Sequence, residues 1–340
     1  MDRRSHRRWG LPALLVAGLA LAAIVAEAGA EEESLASQIR GTVAVIDTAT
    51  NSLAPKPIDV GPYSSSIALS PDGSRAYVVN SGGRPNGSVS VIETATNKAV
   101  ARIGVGRFPE GIAISPDGSR AYVANYGSNA VSVLDTGTNS QVARIKVGRG
   151  PTGVAVGPGG ERVYVANARD DTVSVIDTVS NRPAATAIEV GRSPYAIAIA
   201  PGGDRAYVAN MASDTVSVID TTVDEKVVGR IKTGDTPYAL AIGPGGERVY
   251  VVNARDDAVS VINTATHRPA SKPFKVGHRP TSIAIGPDGD RAYVTSMEPG
   301  LLSVIDTATG KPAARAIEVG LFPLAVAIAP DGSRVYVVRN

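Results

Sequence analysis

Residues 106–125 read GRFPEGIAISPDGSRAYVAN, followed by VSVLD at 131–135 and VARIKV at 142–147. This stretch contains four short apolar runs, A to D, which are Ile112–Ile114, Ala121–Ala124, Val131–Leu134 and a run centred on Ile145. They are rich in β-branched residues and bounded by Pro, Gly, Asn and Asp, which is the pattern of β-strands. The Ser-Pro-Asp-Gly joint between runs A and B favours a tight turn, because Pro presets its first corner and Gly accepts positive φ at its end.

The same pattern recurs from residue 41 to the C-terminus. The glycine that opens each copy stands at positions 61, 106, 148, 191, 234, 277 and 320, so the period is about 43 residues. Four antiparallel strands that are apolar on both faces need sheet neighbours on both sides, and radial stacking supplies them. We therefore predict an all-β fold, a seven-bladed β-propeller with four antiparallel strands per blade over residues 41–340.

The two ends of the repeat region are half-blades. The chain begins with a C run, Val43–Ile46, and a D run around Ile58, and it ends with an A run, Val326–Ile328, and a B run, Val335–Val338. Each type of run therefore occurs seven times. We expect the two halves to pair as blade seven, with Arg334 beside Asp47, which removes sheet edges that would otherwise invite aggregation.

The N-terminus has the features of an export signal. Four arginines within the first eight residues precede the apolar run Leu11–Ala26, and Ala28-Gly29-Ala30 gives a small-x-small cleavage pattern. We predict a signal peptide at 1–30 and a linker at 31–40, with a secreted, periplasmic or cell-surface location. The sequence leaves Sec and twin-arginine export undecided.

Charge and cysteine content exclude several classes. Four of the 34 basic and two of the 32 acidic residues lie in the first 30 positions, which leaves 30 of each in the mature chain. A net charge near zero gives no support for nucleic-acid or membrane binding. The chain has no cysteine, so disulfides and a thiol nucleophile are excluded.

The repeat motifs have a known counterpart. PDGSRAYVAN at 116–125 and VSVIDTAT-like stretches resemble the YVTN-type β-propeller repeat, and the resemblance covers residues 41–340. The chain looks like surface-layer and periplasmic propellers, including the YncE-like group. That resemblance implies an exported, mostly non-enzymatic binding protein and names no ligand.

Residues present in every copy are first interpreted as structural. The arginine that opens each B run, such as Arg120, is expected to pair with the acid that ends the C run, such as Asp135, in a ring of ion pairs. The seven B-run tyrosines are expected to pack between blades, and Phe274 replaces a core Ile.

The residues outside the repeat pattern gather in the D-to-A and B-to-C loops, which share one face of a propeller. Six aromatics lie there: Tyr63, Phe108, Tyr126, Tyr195, Tyr238 and Phe322. The D-to-A loops add Arg107, Arg149, Arg192, His278 and Arg279, and the B-to-C loops add Arg84, Arg169 and Arg255. Arginine and aromatic side chains together suit stacking and anion contacts. The alternatives are a plug of the channel mouth by the aromatics, plain solvated loops for the D-to-A arginines, and local pairing with nearby acids for Arg169 and Arg255.

The inner strands are poor in catalytic and metal-binding groups. Among the seven A segments only Glu110 is an acid, and none contains His, Asp or Asn. A divalent ion needs several oxygen or nitrogen ligands, so we expect no metal and no cofactor. Glu110 and His278 could form an acid/base pair across the mouth, as a lactonase or lyase would need.

We therefore predict an exported, non-catalytic binding or scaffold propeller. Its binding residues would be the six aromatics and the five basic or histidine residues of the D-to-A loops, together with Glu110. Its partner would be a protein, a glycan or an anionic or aromatic ligand. The alternatives are a propeller enzyme that uses the same face, a single-stranded nucleic-acid or glycan binder, and a structural surface protein.

Overall fold

The computed structural model describes residues 40–82, 86–222 and 225–340. The predicted signal peptide, most of the predicted linker and Arg84 lie outside the described residues. Within them there is no α-helix, and a single 3-10 turn covers Tyr126–Ser128. No described helix is long and apolar enough to cross a membrane.

The strands follow the predicted repeat. The first are β1 (Thr42–Asp47), β2 (Ser52–Leu53), β3 (Ile58–Asp59), β4 (Ser64–Leu69), β5 (Arg75–Asn80), β6 (Ser88–Glu93), β7 (Lys98–Gly104), β8 (Pro109–Ile114), β9 (Arg120–Asn125), β10 (Ala130–Asp135) and β11 (Ser140–Lys146). The next are β12 (Pro151–Val156), β13 (Arg162–Asn167), β14 (Thr172–Asp177), β15 (Arg182–Pro183), β16 (Ile188–Glu189), β17 (Pro194–Ile199), β18 (Arg205–Asn210), β19 (Thr215–Asp220) and β20 (Lys226–Lys232). The last are β21 (Pro237–Ile242), β22 (Arg248–Asn253), β23 (Ala258–Asn263), β24 (Arg268–Pro269), β25 (Phe274–Lys275), β26 (His278–Ile285), β27 (Arg291–Glu298), β28 (Leu301–Asp306), β29 (Ile317–Glu318), β30 (Pro323–Ile328) and β31 (Arg334–Arg339).

These strands form seven antiparallel sheets, one per blade. The A strands β4, β8, β12, β17, β21, β26 and β30 each contact the next, and β30 contacts β4, so they surround a central axis. The fold is therefore the predicted seven-bladed propeller. Each A-to-B turn ends on a glycine with φ between 70° and 79°, as the turn requires.

Blade seven is closed by the two ends of the chain. Strand β1 pairs with β31, with Val43 opposite Val338 and Asp47 opposite Arg334. The Asn340 side chain adds hydrogen bonds to both the backbone N–H (2.8 Å) and the carbonyl (3.0 Å) of Ser64 in blade one. The predicted closure is confirmed.

The core lies between neighbouring blades. The B-strand tyrosines are at most 3% exposed, and Tyr77 packs against Ile112 and Leu134 of the next blade. Phe274 is also buried, as predicted.

The outer D strand is continuous in three blades and broken in the others. In the copies that contain Pro183 or Pro269, the D strand consists of two short pieces, β15 with β16 and β24 with β25. Both pieces pair with the same C strand. Proline lacks the N–H that a ladder needs, which accounts for the interruption.

The predicted ring of arginine–acid pairs is corrected by the structure. Backbone register does place Arg75 opposite Glu93, but the Arg75 guanidinium donates to the carbonyl of Thr136 in the next blade at 2.7 Å. Arg334 likewise reaches the Thr94 carbonyl at 3.0 Å, whereas Arg205 pairs with Asp220 at 3.0 Å. Four of the B-strand arginines thus donate to a carbonyl of the next blade, because their side chains span the gap between blades: Arg75, Arg248, Arg291 and Arg334.

Candidate functional site

A cavity of about 180 Å³ lies on the axis of the propeller, at the D-to-A end of the A strands. Two rings of side chains surround it. The first ring consists of the residue at the same position near the start of each A strand: Ser65, Glu110, Thr152, Tyr195, Tyr238, Thr281 and Leu324. The second ring consists of the residues that follow them, which are all Gly, Ala or Ser: Ser66, Gly111, Gly153, Ala196, Ala239, Ser282 and Ala325. The glycines of the second ring are required by close packing of the A strands, because a Cβ on Gly111 or Gly153 would lie 2.4 Å or 2.7 Å from a backbone carbonyl oxygen of the next blade.

A β-bulge places the first ring. In β17, Pro194 pairs with Asn210 and Ala196 with Ala209, so Tyr195 has no partner in the ladder. The other six A strands have the same shift of register at this point. Bulges bend a strand and redirect a side chain, and they are frequent next to binding sites. First-ring residues are therefore free to differ between blades without breaking the sheet.

The residue just before the bulge adopts a left-handed conformation in every blade. These residues are Tyr63, Phe108, Gly150, Ser193, Thr236, Arg279 and Phe322, with φ between 45° and 63°. For non-glycine residues this conformation costs about 1–3 kcal/mol each, so the surrounding structure must impose it. Three of the six predicted aromatics are thus structural corner residues at the mouth of the channel.

Glu110 is the one acidic side chain among the described residues that line the cavity. It is only 9% exposed. Burial disfavours the charged form and raises the pKa of Glu110 to about 7, although a hydrogen bond from Tyr195 acts in the opposite direction. A carboxyl group with this pKa changes its protonation state near neutral pH.

Tyr195 and Tyr238 form a stacked pair beside Glu110. Their ring centroids are 4.3 Å apart, and their hydroxyl oxygens are 2.8 Å apart and hydrogen-bonded. Burial raises the pKa of Tyr238 to about 12 and holds that of Tyr195 well above its ordinary value. Both hydroxyls therefore keep their protons at neutral pH, and they connect to Glu110 through Tyr195.

This pair corrects part of the sequence interpretation. Tyr195 and Tyr238 were expected in loops, but they lie within β17 and β21. Tyr126 lies in the 3-10 turn and is 4% exposed. The Arg169 Nε donates to its hydroxyl at 3.0 Å, so Tyr126 is a packed residue of the B-to-C loop.

Most basic residues of the loop face have partners within the protein. Arg149 forms an ion pair with Asp170 at 2.5 Å, and Arg192 donates to the Ala212 carbonyl at 2.9 Å. The guanidinium of Arg107 lies 5.9 Å from the ring centre of Phe108. Arg149 is thus paired with an acid, whereas Arg192 contacts a carbonyl and Arg107 an aromatic ring.

The suggested acid/base pair between Glu110 and His278 is not formed. His278 Nδ1 lies 2.8 Å from Asp257 Oδ2, and His278 is not among the cavity-lining residues. Arg279 pairs with Glu298 at 3.1 Å. Both residues belong to the outer rim because they lie at the start of β26, before the proline that opens the bulge. Phe322 is 52% exposed on the same rim.

Sequence reasoning missed the hydroxyl members of the first ring, namely Ser65, Thr152 and Thr281. Their signal was the position itself, since the residue before each second-ring Gly, Ala or Ser varies strongly between copies that are otherwise nearly identical. Within the described ranges, no cluster of three or more His, Asp or Glu side chains is placed to hold a metal ion.

Comparison with known proteins supports the fold. A sequence model of the family described as "Lactonase, 7-bladed beta-propeller" matches residues 36–147, which is less than half of the chain. No curated protein matches the chain.

Three solved structures are similar over most of the chain. Hydrazine synthase of Kuenenia stuttgartiensis is 23% identical with a TM-score of 0.73, and the match covers 82% of this chain and 95% of that one. A protein of unknown function from Desulfotomaculum acetoxidans is 18% identical with a TM-score of 0.70, over 83% and 97% of the two chains. A candidate 6-phosphogluconolactonase from Bacteroides uniformis is 16% identical with a TM-score of 0.70, over 84% and 98%. At these identities the likeness establishes the seven-bladed propeller architecture alone.

Proposed function

We propose that this protein is an exported binding propeller that takes a small polar molecule into its axial cavity. The observation that carries the proposal is the buried carboxyl of Glu110 beside the hydrogen-bonded Tyr195–Tyr238 pair. Buried ionisable groups are costly to maintain, and those with shifted pKa values concentrate at functional sites. The resemblance to exported YVTN-type propellers supports export and a binding role.

We place the proposed binding site in the axial cavity and not on the rim. Arg149 and Arg192 of the rim already have partners in the protein, and an exposed ion pair contributes little free energy. The cavity, in contrast, is a concave space that combines apolar walls with a few polar groups, as ligand sites usually do.

The test is capture of small molecules by the immobilised full-length protein, identified by mass spectrometry. Ala239→Leu adds volume to the second ring, and its melting temperature is measured first because Ala239 also packs against the core between blades. The rim control is Phe322→Ala. We expect the cavity variant to lose the captured compound and the rim variant to retain it. Retention by Ala239→Leu with loss in Phe322→Ala would move the site back to the rim.

A lactonase is the second candidate. The lactonase-family match at 36–147 includes Glu110, and a pKa of about 7 suits a general base that works near neutral pH. Because the ionised carboxylate would accept the proton from water, hydrolysis of an uncharged lactone should increase as pH rises through 7. Measurement in a pH-stat with wild type and Glu110→Gln decides the case, since a rate that the variant abolishes would make the protein an enzyme.

A further inference from the structure

The cavity has an unbalanced set of charges. Its described lining contains the Glu110 carboxyl but no Lys, Arg or His side chain. A buried carboxylate without a positive partner is strongly disfavoured, as the pKa of about 7 reflects. The ionised Glu110 carboxylate therefore has no positively charged partner among the described lining residues.

The hydroxyl groups of the first ring form hydrogen bonds with backbone carbonyls of neighbouring blades. Thr152 Oγ1 lies 3.1 Å from the Pro194 carbonyl and 3.3 Å from the Ala166 carbonyl. Thr281 Oγ1 lies 2.8 Å from the Pro323 carbonyl and 2.9 Å from the Thr295 hydroxyl. Each hydroxyl therefore has an acceptor within the protein for its hydrogen. Ser65 Oγ in the same way donates to the Glu110 carbonyl at 3.2 Å. A hydroxyl has one hydrogen and two lone pairs, so each of these oxygens can offer a ligand only an acceptor.

We infer that the ligand of the axial cavity is a small organic ammonium cation, bound by the Glu110 carboxylate and the acceptor oxygens of the first ring. This inference rests on the proposed binding function and names the class of its ligand. An ammonium group has three donors and no acceptor, which complements a ring that offers acceptors and a carboxylate. Tyr195 and Tyr238 add aromatic rings, which also attract ammonium groups.

The volume limits the size of the cation. A cavity of about 150 Å³ accommodates benzene, and this one is about 180 Å³. The ligand should therefore have a short carbon skeleton, comparable to a butyl group or a single ring.

Binding should release a proton near neutral pH. The nearby positive charge favours the ionised form of Glu110, and this form is a minority in the empty site below pH 7. The facing groups are Tyr195 and Tyr238, whose hydroxyls stay protonated in this range because their pKa values are raised. Affinity should therefore fall by about 30-fold from pH 8.5 to pH 5.5, following the protonation of one group.

The experiment compares three probes of equal length on the purified full-length protein: butylammonium, 1-butanol and butanoate. Calorimetry in amine-free buffer measures affinity, and a pH-indicator dye in weakly buffered solution measures proton release. We expect butylammonium to bind at least tenfold more tightly than the other two, with proton release at pH 6 and almost none at pH 8.5. Glu110→Gln should abolish this preference, whereas the matched variant Glu189→Gln, on an exposed outer strand, should retain it.

The outcomes separate this inference from the proposed function. If butanol or butanoate binds as well as butylammonium and Ala239→Leu blocks that binding, the cavity is a ligand site and the cationic class is wrong. If no probe binds at millimolar concentration while capture still yields a cavity-dependent compound, the inference also fails and the binding function stands. If no probe binds and capture yields no cavity-dependent compound, both the cationic ligand class and the binding function are wrong. Sodium or potassium competing at concentrations equal to the probe would show that the site accepts any monovalent cation, which contradicts an organic ligand.

Discussion

Replacing Glu110 with Gln should make the protein more stable at pH 8. Burial raises the pKa of Glu110 from 4.5 to about 7, so the folded protein binds a proton that the unfolded chain releases between these values. Stability then decreases as pH rises, because the slope of the unfolding free energy follows the protons bound in the unfolded minus the folded state. The decrease begins near pH 4.5 and is complete just above pH 7.

The size of the effect follows from the shift in pKa. At about 1.4 kcal/mol per unit, the shift corresponds to roughly 3 kcal/mol lost by the wild type between pH 4.5 and pH 8. Glutamine preserves the shape and remains neutral, so Glu110→Gln should not show this loss. For a propeller of this size, 3 kcal/mol corresponds to about 5 °C in melting temperature.

The assay is guanidinium unfolding of wild type, Glu110→Gln and the exposed control Glu189→Gln from pH 5 to pH 8. The strongly shifted surface acids do not interfere. Hydrogen bonds from the Ser70 and Ser115 hydroxyls lower the pKa of Asp72 and of Asp117 to about 2, and their contribution is lost only as pH falls toward that value. Parallel curves for wild type and Glu110→Gln, or a less stable variant at pH 8, would refute the assignment of Glu110 as an uncompensated buried acid.

Three further outcomes are expected. Ile46→Ala in the closing blade should lower the free energy of unfolding in guanidinium by about 2–5 kcal/mol, because Ile46 is fully buried. Val142→Ala on an outer strand, where the valine is 47% exposed, should change it by less than about 0.5 kcal/mol. Equal losses in the two variants would contradict the packing of blade seven. Phe322→Ala should likewise change stability by less than about 1 kcal/mol, since its ring is half exposed, and a large fall in melting temperature would favour the plug interpretation. The exported protein should begin at Glu31 in N-terminal sequencing, and recovery of an intact Met1 from that fraction would refute cleavage after Ala30.

Most of the fold could be predicted because each blade repeats the same local signals. The turn glycines, the B-strand tyrosines and the half-blades at the two ends all follow from spacing alone. The β-bulge at Tyr195 could not be predicted, because it depends on how β17 aligns with β18, and the sequence suits a regular register equally well. The ring of arginine–acid pairs was only partly right for a related reason. Arg205 forms the predicted pair with Asp220, but side chains such as Arg75 bond to the next blade, and a repeat pattern does not give the distance between blades.

The candidate site was predicted in part. The sequence identified Glu110, Tyr195 and Tyr238 as departures from the repeat, but it assigned the tyrosines to loops together with Phe108 and Phe322. In each blade the corner residue and the cavity-lining residue stand two positions apart along the chain. Phe108 and Phe322 occupy the left-handed corner, whereas Glu110, Tyr195 and Tyr238 follow the proline and line the cavity. A difference of two residues determines whether a side chain closes a turn or reaches the axis.

The first ring shows how a repeated scaffold can acquire an asymmetric site. Its members lie in bulges, outside the strand ladder, so a substitution there changes the cavity without changing any strand pairing. One position holds an acid, two adjacent blades hold the tyrosine pair, three hold hydroxyls, and Leu324 adds an apolar side. Under the proposed function, the ligand should present its polar group toward Glu110, since a hydrocarbon there would leave the carboxylate unpaired. Seven nearly identical blades can in this way carry one asymmetric cavity, because a substitution in the first ring leaves the pairing of the strands unchanged.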